Sequence, residues 1–199
     1  IDIVVAQGCR PIGAPMYVTA CRGNLLQELD NTSPLEILKE IFASLSEADR
    51  ELAQRSLFIG VLMDELNDAP KQGDFLIRNI IGVDGQRDAI AVGDNLKEGQ
   101  TVQFHLRDAQ TSSLDLTTML RQYVSLQNPD LLLEGSRGAL MFQCLGRGSY
   151  LYGRPDHDTD AFKDIVGHDI PLTGFFCNGE IGPVGERNFL HGYTASLAL

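Results

Sequence analysis

Tight turns separate most of the apolar runs in this 199-residue chain, and that spacing limits the folds open to it. Asp84-Gly85 stands between Phe75–Ile81 and Ala89–Val92, and Lys97-Glu98-Gly99-Gln100 precedes Thr101–Arg107. Strands joined this closely pair antiparallel, because a parallel crossover needs a dozen residues or more. A strict array of βαβ units is therefore excluded. Further strands are expected at Ile1–Cys9, Met16–Gly23, Leu57–Met63, Gly138–Leu145, Leu172–Asn178 and Asn188–Leu199. A chain reversal is expected at Arg10-Pro11-Ile12-Gly13-Ala14-Pro15, where two prolines and a glycine cluster. In Thr101–Arg107, Val102, Phe104 and Leu106 alternate with Gln103, His105 and Arg107, the pattern of a half-solvated strand.

Helical spacing appears between these runs. Ser33 is placed to cap and Pro34 to open a helix carrying Leu35, Leu38, Ile41, Phe42 and Leu45 on one face. Ser46 with Asp49 resembles a capping box for a short helix through Gln54. Ser113 is expected to cap a helix with Leu116, Met119, Leu120, Tyr123 and Val124. A last helix is expected over Thr159–Val166, and a linker over Asn128–Arg137. The fold class that follows is α+β: a mixed, largely antiparallel β-sheet with helices packed on its faces.

Charge narrows the partners. Sixteen basic residues against 27 acidic ones give a net charge of −11, which repels nucleic-acid backbones and anionic lipid. No apolar run approaches the roughly 20 residues that cross a bilayer, and no secretory signal is recognisable, so no membrane insertion and a cytoplasmic location are expected. The opening Ile1-Asp2-Ile3-Val4-Val5-Ala6 reads as the middle of a strand, which suggests a piece of a longer chain.

Four cysteines, at 9, 21, 144 and 177, show no C-x-x-C spacing and read as buried reduced thiols. An alternative is that Cys9, Cys144 and Cys177 share one cavity. Cys144 or Cys177 as a nucleophile would need a neighbouring base, and none is close in sequence, so no catalysis is expected. No P-loop, dinucleotide fingerprint, nucleophile elbow or H-E-x-x-H is present. Asp156, Asp158 and Asp160 have the 1-3-5 spacing of a calcium loop, but Ala161 and Gly167 stand where glycine and glutamate are needed. The carboxylates are better read as an acidic start to the following helix, with a metal role for His157 as the weaker alternative. His168 reads as a loop residue. His191, in an otherwise apolar strand, is either structural or ligand-binding.

Two stretches carry a family resemblance. One runs Gln143-Cys144-Leu145-Gly146-Arg147-Gly148, Arg154-Pro155-Asp156-His157-Asp158, Pro171 through Val184, and Asn188-Phe189-Leu190-His191. The other is Ala6-Gln7-Gly8-Cys9-Arg10-Pro11-Ile12-Gly13. Together they resemble the FIST family, chiefly its C-terminal domain, with the tail of the N-terminal FIST domain at residues 1–13. On that reading 1–137 holds this tail and the first portion of the FIST C domain, 138–199 holds its motif-rich remainder, and the whole forms one compact unit. The resemblance implies a sensory domain that binds a small ligand, with amino acids as one candidate. It implies a signalling output domain or partner protein, and a companion N-terminal FIST half that is missing. It requires no cofactor. Haem, with His191, His157 or a cysteine as axial ligand, is a second reading, and an interaction scaffold is a third.

Strand ends and their glycines place the candidate ligand-binding residues at Arg10, Cys144, Gly146, Arg147, Asn178, Gly179, Glu180, Asn188 and His191. Arg147 could grip a ligand carboxylate in two-pronged fashion and Glu180 an ammonium. Alternatively, the two tie their loops together by bonding each other.

Overall fold

The computed structural model describes residues 1–127, 138–184 and 187–199. The expected linker at 128–137 lies outside these. The fold is α+β and largely antiparallel, with helices packed against the sheets, as expected. It is built as two compact units, one of Cys9–Arg107 and the other of Ile1–Gly8 with Asp108–Leu199. This division departs from the expected one at residue 137.

The unit Cys9–Arg107 is a closed six-stranded barrel, which the turn spacing did not reveal. Its strands are β2 (Cys9–Arg22), β3 (Leu25–Leu29), β4 (Leu57–Leu62), β5 (Phe75–Asp84), β6 (Ala89–Val92) and β7 (Thr101–Arg107), in the order β2-β3-β6-β5-β4-β7. The segment 10–15 does not reverse the chain. It runs inside the 14-residue β2 as an irregularity between Ile12 and Met16, with Gly13 at φ +67°. The proline and glycine cluster bends the strand instead of ending it. Past the bend Met16 and Tyr17 still pair with β7, and from Val18 onward β2 pairs with β3, which closes the barrel.

Two helices precede β4. In α1 (Pro34–Ser44), Ser33 accepts from the Leu35 N–H and Pro34 opens the helix, as read. In α2 (Glu47–Ser56), Ser46 accepts from the Asp49 N–H, and the helix runs two residues past Gln54. Ile41 and Ala53 join the barrel core with Ile59, Phe104 and Leu106.

Strand β7 is buried on both faces, so the half-solvated reading is corrected. Alternation reports polarity, and here the polar side is satisfied internally. Gln103 Nε2 donates to the Gly13 carbonyl at 2.7 Å, and His105 Nδ1 lies 2.9 Å from the Gln103 carbonyl. The His105 ring stands 5.2 Å from that of Phe75. Gly60 makes room for both: a Cβ there would fall 2.6 Å from His105 Cε1 and 2.7 Å from Phe75 Cβ.

The second unit carries a four-stranded sheet of β1 (Ile3–Ala6), β8 (Ala139–Cys144), β9 (Leu172–Cys177) and β12 (Ala195–Ala198), in the order β1-β12-β8-β9. Only β8 and β9 are parallel. Strands β10 (Glu180–Val184) and β11 (Arg187–His191) form a separate hairpin. The expected strand 188–199 is therefore two strands, broken where Tyr193 takes φ +64°. Strand β10 was not among the expected strands, and its Gly182-Pro183 is unusual inside one. Helices α3 (Ala109–Leu126) and α5 (His157–Val166) pack on one face, where Leu116, Leu120 and Phe162 meet Val4, Met141 and Leu197. Helix α4 (Ser149–Tyr152) is a single turn. The cap of α3 is Asp108, whose carboxylate accepts from the Thr111 N–H at 2.6 Å; Ser113 lies inside the helix. Among the described residues no helix is long and apolar enough to cross a membrane.

Burial lowers the His105 pKa to about 4, opposed by its bond to the Gln103 carbonyl. The unfolded chain therefore takes up a proton near pH 6.5 that the folded chain refuses until about pH 4. Stability falls as pH drops through that window, by up to about 3 kcal/mol from this residue. Urea unfolding at pH 7 and pH 4.5 should show a shallower loss in His105→Gln than in the parent.

Candidate functional site

Strand β8 ends at Cys144, and the chain turns at once, the Arg147 N–H donating to the Cys144 carbonyl. Gly148 follows at φ +72°, in contact range of the Phe176 ring, where a side chain would meet Phe176 Cζ at 3.2 Å. This turn sends the Arg147 side chain inward, where it is fully buried. Arg147 Nε donates to Asp158 Oδ2 at 2.6 Å, and Nη2 donates to Asp158 Oδ1 at 3.2 Å and to the Tyr152 hydroxyl at 2.6 Å. Gln143 Nε2 adds a third donor to Asp158 Oδ2 at 2.7 Å. His157 Nδ1 adds a fourth, to Oδ1 at 2.8 Å, while its Nε2 meets Ser113 Oγ at 3.0 Å. The His157 ring stacks on Tyr152 with centroids 3.6 Å apart.

Burial alone would discharge both partners of this pair. The facing charges and hydrogen bonds overcome it, raising the Arg147 pKa and lowering that of Asp158. A third acid, Asp115 on α3, accepts the Gly8 N–H at 2.9 Å; burial raises its pKa, against the pull of that N–H and of Arg147.

Above this network lies a cavity of about 340 Å³. It opens at the carboxyl ends of the parallel pair β8–β9. Leu145, Gly148 and Ser149 come from the turn after β8, Asp156, His157, Asp158 and Thr159 from the start of α5, and Phe176 from the end of β9. The first turn of α5 has no side-chain cap, because Asp156 takes φ +58° and its carboxylate makes no capping bond. Asp158 and Asp160 lie in that turn, as the acidic-start reading expected, but Asp158 is turned inward to Arg147 and Asp160 pairs with Arg154. Among the described residues no cluster of His, Cys, Asp and Glu could hold a metal ion. A neighbouring pocket of about 270 Å³ shares Gln143, Thr159 and Phe176 with the cavity.

The residues singled out from sequence separate into three places. Arg147 borders the cavity with its Nε and Nη2 engaged by Asp158 and Tyr152 and its buried Nη1 without a hydrogen-bond partner among the described residues, and it does not bond Glu180. Cys144 is buried at the end of β8 and Gly146 sits in the turn beyond it. Asn178 and Gly179 form the turn from β9 into β10. Glu180 is buried and accepts from the Thr194 N–H and the Cys177 thiol. His191 is buried opposite Glu180 in the hairpin, its Nε2 bonding the Gly182 carbonyl at 3.0 Å. Asn188 is exposed on β11. Arg10 belongs to the barrel unit, where it pairs with Asp49 on α2.

The cysteines follow the same division. Cys144 and Cys177 are register partners on β8 and β9, Cys9 belongs to the barrel unit, and none of the three lines the cavity. All four cysteines are free thiols. Burial, then Glu180, pushes the Cys177 thiol up, the opposite of what a nucleophile needs. The two histidines read as haem ligands already have bonded ring nitrogens. His191 spends its Nε2 on a carbonyl, and His157 has both ring nitrogens engaged. Of the cavity lining only Arg147 is among the candidate ligand-binding residues, and Gln143, Ser149, Asp156, Thr159 and Phe176 are among those that sequence reasoning missed. Their polarity and size carry no local signal, and only the strand ends bring them together.

Residues 34–183 match the FIST C domain, and residues 1–32 match the FIST N domain. The chain belongs to the FIST family. FIST domains are sensory domains of signalling proteins. An uncharacterized protein of Mycobacterium tuberculosis is 45% identical over 197 residues, covering 98% of this chain and 50% of that protein. An uncharacterized protein of Mycobacterium bovis is 44% identical over 197 residues, covering 98% and 49%. Human F-box only protein 22 is 35% identical over 75 residues, covering 30% of this chain and 18% of that protein. The chain spans about half the length of the mycobacterial relatives it matches.

Breaking a buried ion pair from one side leaves the other charge stranded. Arg147→Met should therefore cost roughly 3–5 kcal/mol in urea unfolding, and Arg147→Met with Asp158→Leu should cost less than the single change.

Proposed function

We propose that this FIST chain is the sensory part of a cytoplasmic signalling protein and that the cavity at the ends of β8 and β9 seats its small ligand. The observation that carries this reading is the position of the cavity. A crevice beyond the carboxyl ends of parallel strands, walled by loops on a braced scaffold, is where open sheets bind ligands. The Arg147–Asp158 pair supplies the brace from below and leaves the rim to Ser149, Asp156 and Thr159.

The rim suits a small zwitterion such as an amino acid. The Asp156 carboxylate faces an ammonium group, while the Ser149 hydroxyl and the uncapped first turn of α5 donate to a carboxylate. In this reading Arg147 positions the floor and does not touch the ligand. No step of covalent chemistry is assigned to the site, and the bound state is relayed to an output domain or partner protein.

A ligand that binds only the folded state raises its stability, by about 2.7 kcal/mol at 100 times its Kd. Thermal-shift screening with millimolar amino acids should find a stabilising one. Ser149→Trp, on an exposed rim position, should abolish that shift with the unliganded melting temperature nearly unchanged. A shift that survives Ser149→Trp places the ligand elsewhere, and no shift with any amino acid rejects that ligand class.

A further inference from the structure

Among the described residues helices cover one face of the sheet, and strand register fixes what lies on the other. Across β1, β12, β8 and β9 two rows share that face: Ile3, Ala198, Leu140 and Thr173, then Val5, Ser196, Phe142 and Phe175. The β10–β11 hairpin covers part of the second row. A Cβ on Gly182 would fall 2.4 Å from Val5 Cγ2 and 3.1 Å from Ser196 Oγ. The remainder is open among the described residues. Phe175 is 64% exposed and Leu140 44%, and Phe175 meets Phe142 edge to face at 5.2 Å. The hairpin adds a cross-strand pair, Ile181 and Leu190, which are 72% and 60% exposed.

Such a surface is costly to leave in water. We propose that this face is the seat of the remaining part of the FIST N domain in the full-length protein.

Two observations favour that occupant. The FIST C match spans residues 34–183, whereas the FIST N match spans only 1–32, and the mycobacterial relatives are twice as long as this chain. Strand β1 belongs to the FIST N match and forms one edge of the sheet, with Ile3 in the open row. A FIST N domain joined to β1 therefore enters at the rim of the uncovered face. Its contact surface is apolar and matches the ridge of Leu140, Phe142 and Phe175. Acidic or basic recognition is not called for, because these rows carry no charge.

Hydroxyl-radical footprinting of this chain and of the full-length M. tuberculosis relative tests the assignment. Leu140, Phe175, Ile181 and Leu190 should label readily in the 199-residue chain. The aligned side chains in the full-length relative should label several-fold less. Equal labelling would overturn the proposal. So would a dimer of this chain in light scattering that Phe175→Asp converts to a monomer, since a second copy would then own the face. As a control on folding, Phe175→Asp should leave the melting temperature of this chain nearly unchanged, while the matching change lowers it by several degrees in the full-length relative.

Discussion

The buried pair of Arg147 and Asp158 is the contact on which the sheet unit is organised. It ties the turn after β8 to the first turn of α5, and through Tyr152 and His157 it reaches α4 and α3. A charge this deep is tolerable only when nearly every lone pair and N–H around it is used. Asp158 meets that condition with four donors, from Gln143, His157 and two from Arg147. Several segments that would otherwise be independent loops are thereby held in one geometry, and the cavity above inherits its shape from them.

The sequence made the fold class and the helix starts legible because both depend on neighbours. Ser33-Pro34 and Ser46 with Asp49 are local signals, and the structure places the helices where they point. Barrel closure was not legible, since it depends on β2 changing partner between Tyr17 and Val18, a long-range event with no local mark. Strand β7 shows a related limit: His105 and Gln103 look solvent-facing by pattern, yet each finds a partner inside. Caps mislead in the same manner, as Ser113 has a capping residue type but Asp108 holds the position.

The candidate site was readable in part. Strand ends and glycines point to the turn after β8, which borders the cavity, and charge singles out Arg147. Its partner could not be inferred, because Asp158 lies in a run of alternating acids that equally resembles a helix start. Glu180 and His191 were grouped with Arg147 on chemistry alone. They form instead a cross-strand pair within a hairpin, where Glu180 accepts from the Thr194 N–H and the Cys177 thiol and His191 bonds the Gly182 carbonyl.

The strand order of the sheet unit carries a consequence for how the chain acquires its shape. β12 is the latest of the four strands in sequence, yet it lies inside the sheet, between β1 and β8. The β1–β12 pairing joins residues such as Ile3 and Ala198, almost the whole chain apart. The barrel, by contrast, uses only Cys9–Arg107. Loop-closure entropy favours the nearer contacts first, so barrel formation can precede sheet formation. During synthesis β1 must wait, with its edge unpaired, until β12 leaves the ribosome. The cavity on this sheet is consequently among the last features of the chain to exist.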